Sequence, residues 1–118
     1  MKKLILILAV VSLTGCSSIT KLWPRPHDPE MFGRLVDAKI SVDKLECGNP
    51  LAFHNADEYI ERLKVYATLR SDPQADAIGK LQDSIKKAGE SKNKVFCESV
   101  VKTNKVRIDV IVDAWKGR

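Results

Sequence analysis

The chain is predicted to be all-α, a small up-down bundle of about four helices. Apolar residues recur at alternating spacings of three and four, helix start and stop residues punctuate those runs, and two cysteines fall where such a bundle brings its first and last helices together. Asp28-Pro29 opens the first helix, with Asp placed to accept from unpaired amides and Pro pre-set for the first helical position. Met31, Leu35, Ala38, Val42 and Leu45 form its apolar seam, and Gly48-Asn49-Pro50 stops it. The second helix is expected to start at Asn55, where Glu58 three residues on completes a capping-box pattern. Its buried face is Ala56, Ile60, Leu63 and Ala67, flanked by Tyr59, Tyr66 and Leu69. Ser71-Asp72-Pro73 repeats the Asp-Pro start, and Ile78, Leu81, Ile85 and Ala88 form the third seam, ended by Gly89 and a polar stretch.

The last segment reads two ways. Val106, Ile108, Val110 and Val112 alternate as in a strand, whereas Cys97, Val101, Asn104, Ile108, Ile111 and Trp115 keep helical spacing. No Gly or Pro interrupts residues 95–116, and a lone strand has no partner in a helical chain, so one long helix is the favoured reading. Its β-branched content means that packing, more than propensity, has to hold it.

The start of the chain is of another kind. Lys2 and Lys3 precede a short apolar run at residues 4–11, and Leu13-Thr14-Gly15-Cys16 closes it. A charged start, an apolar core and small residues before a cut describe a secretory signal, and the run is shorter than the roughly 18 apolar residues of a membrane span. The ending resembles the lipobox of bacterial lipoproteins. That resemblance implies cleavage of residues 1–15, a diacylglyceryl group on the Cys16 sulfur and acylation of the new amino terminus. Two or three chains make a stable anchor where one binds only reversibly. Ser17 stands where lipoproteins retained in the inner membrane carry Asp, so the implied destination is the outer membrane, facing the periplasm.

Residues 16–28 then read as a tether, polar at first and proline-punctuated after Trp23. Residues before proline are pushed toward extended conformations, so this stretch is expected to be stiff and to reach at most about 40 Å. Residues 29–118 are the periplasmic helical domain. Loss of Lys2 and Lys3 leaves 18 basic against 15 acidic side chains with interleaved signs, which argues against a nucleic-acid partner.

With Cys16 lipidated, Cys47 and Cys97 remain as a pair in an oxidising compartment. An intramolecular bridge is the first reading, an intermolecular one making a covalent dimer is the second, and a metal set with His54 is the third, lacking paired ligand spacing. In an up-down-up-down bundle the first helix ends at the pole where the fourth begins, so the bridge and the bundle support each other.

Little in the sequence points to catalysis. There is no G-x-S-x-G, no H-E-x-x-H and no Gly-rich phosphate loop, and no cofactor is expected. Asp57-Glu58 reads as a first-turn pair favoured by the helix dipole. Trp115, with Ile111 and Ile108 along the same face and two cations at the chain end, is a candidate partner-binding surface; the competing reading makes Trp115 the plug of the bundle's hydrophobic end. Seven-residue repeats in the first, third and fourth seams suit either an internal core or pairing with another chain, so a homo-oligomer is also open.

An anchor, a stiff tether and a small helical domain together resemble the outer-membrane lipoprotein subunit of phage spanins, the o-spanins. The resemblance implies a C-terminal contact with an inner-membrane partner and a role in bringing the two membranes together at host lysis. The chain departs from that family in having a folded domain where many members are short and proline-rich throughout. A lipoprotein that docks on an envelope protein as an inhibitor or exclusion factor is the alternative, and a structural lipoprotein contacting peptidoglycan comes third.

Overall fold

A computed structural model describes residues 27–116. The signal, Cys16 and the tether up to residue 26 lie outside the described residues, as do residues 117–118. Four helices follow one another: α1 (Pro29–Asp43), α2 (Pro50–Leu69), α3 (Ala75–Glu90) and α4 (Lys94–Lys116). Among the described residues there is no strand. Each helix packs on the next, and α4 returns to α1, while the diagonal pairs are held apart by the core. The chain is thus a closed up-down-up-down bundle.

The core is the set of seams legible in the sequence. Met31, Leu35, Ala38 and Val42 from α1 meet Ala56, Ile60, Leu63 and Ala67 from α2, Ile78, Leu81, Ile85 and Ala88 from α3, and Val101, Ile108, Ile111 and Trp115 from α4. Ala38 on α1, Ala56 and Ala67 on α2 and Ala88 on α3 let the helices approach, while the large side chains fill the space between them. Residues 94–116 are helical throughout, which settles the strand-or-helix ambiguity in favour of the helix.

Three boundaries differ from expectation. Helix α2 starts at Pro50, not Asn55, because Asn49 accepts from the Ala52 amide at 3.3 Å and Pro50 takes the first helical position. Gly48-Asn49-Pro50 therefore does two jobs: Gly48 turns the chain at φ +92° and the next two residues begin a new helix. Asp57 and Glu58 consequently lie beyond the first turn of α2. Asp72-Pro73 makes a turn rather than the first helical residues: Asp72 Oδ1 accepts from the Gln74 amide at 2.8 Å, and α3 begins at Ala75. Gly89 does not end α3, which runs to Glu90; instead a Cβ there would come within 2.8 Å of Phe53 Cδ1, so the glycine is where α3 and α2 close on each other.

Helix α2 ends on a Schellman motif, in which the Asp72 amide donates to Ala67 O and the Ser71 amide to Thr68 O, at 2.8 and 3.0 Å. Ser71 occupies the left-handed position at φ 51°, where glycine is the usual residue. Helix α4 is capped by Asn93, whose side chain accepts from the Phe96 amide at 3.1 Å.

Candidate functional site

The bundle carries a polar fastening at each of its four helix interfaces. Between α1 and α2, the N-cap carboxylate of Asp28 accepts from the Met31 amide at 3.1 Å, from the Tyr66 hydroxyl at 3.1 Å and from Arg70 Nε at 3.3 Å. The Met31 amide, followed by the Tyr66 hydroxyl and the Arg70 charge, holds this carboxyl below the ordinary aspartate range against the opposing effect of burial. Burial and the hydrogen bond to Asp28 push the Tyr66 phenol up. Between α2 and α3, buried Gln82 donates to Glu61 at 2.6 Å and to Asp57 at 3.1 Å. Between α3 and α4, fully buried Asn104 donates to Ser84 Oγ at 2.9 Å. Between α4 and α1, Lys39 bridges Asp109 at 2.6 Å and Asp43 at 3.0 Å, and these two acids raise its pKa, Asp109 first.

The buried groups Asp28, Gln82 and Asn104 fix which layer of one helix meets which layer of the next, because a one-turn slip strands a buried polar atom, whereas the Lys39 pair is partly solvated. They also account for the ionisable residues that converge. Asp57, Glu61, Asp28 and Tyr66 are bonded into fastenings between helices, and His54 lies exposed with Nε2 3.6 Å from Glu58 Oε1.

The Asp28 fastening has a pH signature. A carboxyl with a lowered folded pKa contributes fully above its unfolded value of about 4 and loses that contribution as pH falls through the folded pKa. Asp28→Asn is expected to keep the N-cap yet flatten the fall in melting temperature as pH drops below about 4. An unchanged acid profile in the variant contradicts this.

The fifth fastening is covalent. Cys47 and Cys97 are bonded within one chain, with Cα atoms 6.1 Å apart. The bridge joins the segment after α1 to the first turn of α4, as the topology requires, and both sulfurs are committed to it rather than to a metal set with His54. A cleft of about 280 Å³ beside it is lined by Gly48, Pro50, Phe53, Gly89 and Lys92 among others. On another side, a groove of about 360 Å³ between α1 and α2 exposes Ile40, Leu51 and Tyr59. Asp37, Ser41 and Lys44 also line this groove, and the Ser41 hydroxyl donates to the Ala38 carbonyl at 2.7 Å. Among the described residues no three His, Cys, Asp or Glu side chains are grouped to hold a metal ion, and no helix is long and apolar enough to cross a membrane.

The candidate partner surface needs correction. Ile108, Ile111 and Trp115 are 0, 5 and 2 % exposed. All three face the bundle's own core, so in the folded domain they offer nothing to a second protein. Trp115 is instead the plug at the pole where α1 starts and α4 ends. The solvent side of the same helix carries what the sequence reading overlooked: Val95, Phe96, Val106 and Val110 are 77, 46, 61 and 64 % exposed. With Ser99 and Thr103, also exposed, they make an uncharged stripe along a chain in which 30 % of residues are charged. The signal for it was present as the strand-like alternation, which arises because α4 is apolar on its outer face as well as its inner one.

Comparisons with protein-family models, with curated proteins and with solved structures found no match to this chain.

Proposed function

We propose that this chain is a lipoprotein, anchored through acyl chains on Cys16 in the outer membrane and facing the periplasm, whose helical domain works by holding a protein of the envelope. The observation that supports it best is a bundle fastened at every interface, with the ionisable groups that converge spent on structure. A module of this kind presents a fixed surface, and the lipobox supplies the reason for fixing it near a membrane. The specific form of the proposal is the o-spanin role, in which the domain meets an inner-membrane subunit and helps fuse or disrupt the outer membrane at host lysis.

One observation favours the second form, an inhibitor or exclusion module docked on an envelope protein. Four antiparallel helices return Lys116 to the pole where Pro29 starts, and Trp115 is sealed in the core there. A partner contact by the end of α4 therefore lies on the anchor side of the domain, and the far pole offers the disulfide-linked turns instead. A pull-down from envelope extracts with the full chain, and with Cys16→Ser as the unanchored control, separates the forms. Recovery of an inner-membrane protein supports the spanin role, and recovery of an outer-membrane receptor supports the docking module. Failure to enrich any envelope protein over the control overturns both.

A further inference from the structure

We propose that the outer face of α4 is a self-association surface on which a second copy of this chain docks antiparallel. The stripe keeps the coiled-coil period: Phe96, Thr103 and Val110 occupy one seam position, Ser99 and Val106 the other, and Asp113 ends it. β-branched residues are poor helix formers on a solvated surface, and four of them stand exposed here, at 95, 103, 106 and 110. A helix lying along the stripe covers them.

The flanking charges choose the occupant and its direction. One flank carries Val95, Lys102, Asp109 and Lys116, and the other Val100, Arg107 and Ala114. A parallel second copy places Lys102 opposite Arg107 twice, a repulsive arrangement. An antiparallel copy sets Thr103 against Val106 and Ser99 against Val110, each layer occurring twice by symmetry. In that same register Lys102 of each copy lies opposite Asp109 of the other. The acid is prepared for it. Within one chain Lys39 is shared between Asp43 and Asp109, so two carboxylates face one ammonium and a second cation is accommodated. Lys102 is exposed and makes no ion pair among the described residues. The pairing surface is independent of whether Cys16 carries lipid.

Charge reversal of the full chain tests this by sedimentation velocity. Lys102→Asp and Asp109→Lys each place like charges at both symmetric contacts, and each is expected to weaken self-association by about tenfold. Mixed together, the two variants recover opposite charges at both contacts and are expected to form a heterodimer as tight as the parent dimer. Val106→Glu, on the stripe but outside the core, is expected to be monomeric alone and in either mixture. Melting curves check that each variant keeps the parent fold, and if Asp109→Lys melts early through loss of its Lys39 contact, the Lys102→Asp and Val106→Glu arms still decide. A parent chain that is monomeric, variants that associate as the parent does, or a mixture that stays monomeric overturns the proposal.

Discussion

Replacing Cys47 and Cys97 with serine is expected to cost about 4 kcal/mol of stability. The bridge closes a loop with a sequence separation of 50, and the chain-entropy relation for a loop of that length gives this figure. A domain this small has a total stability of about 5 to 15 kcal/mol, so the loss takes a large share of it. It corresponds to a fall in melting temperature of roughly 15 to 30 °C. Thermal unfolding of the double variant beside the parent, followed by circular dichroism, measures it, and reductant should bring the parent toward the variant. A melting temperature unchanged within a few degrees contradicts the staple's assigned role. The bridge matters because of where it acts. Helices α1 and α4 are the pair most distant in the chain, and apart from the bridge the one ion pair described between them, Lys39 with Asp109, is partly solvated and adds little by itself.

Trp115→Ala is expected to be nearly as damaging, at about 3 to 5 kcal/mol, because it empties a site sealed at 2 % exposure. The substitution also separates two readings of the same residue. A surface anchor for a partner loses binding when truncated and melts like the parent, whereas a core plug lowers the melting temperature whether or not a partner is present. The second outcome is expected, since Trp115 is 2 % exposed. A Trp115→Ala chain that melts with the parent places the indole at the surface and returns it to the partner contact.

These two side chains show how far the sequence is readable. The Cys47–Cys97 bridge is legible in the order of the helices, since a closed bundle brings the end of the first to the start of the fourth, and the four seams are legible because three-and-four spacing survives whatever the helices pack against. Trp115 reads both ways in the sequence, since the same indole serves a buried plug and an exposed anchor and only the neighbouring helices distinguish them. The start of α2 is hidden for a local reason: Asn49-Pro50 reads equally as the stop of one helix and the start of the next, and Asn55 with Glu58 imitates a cap inside a continuing helix. Gly89 looked like punctuation, whereas its missing Cβ is required by Phe53 across the interface, a contact without sequence proximity. The fastenings through Asp28, Gln82, Asn104 and Lys39 join residues as far apart as 70 positions, and nothing local announces them. Of the outer stripe on α4 the alternation was legible, and its meaning followed once the helix was known to bury its other face.

The proposed lipid tie between this fixed helical module and the outer membrane is decided by the mass of the mature chain recovered from the bacterial envelope. A lipoprotein is expected to begin at Cys16, to be heavier than its amino-acid sequence by a diacylglyceryl group and an amide-linked acyl chain, to float with outer-membrane vesicles, and to retain the Cys47–Cys97 bridge. A chain that starts at another residue with an unmodified Cys16, or one recovered free of membrane, contradicts it.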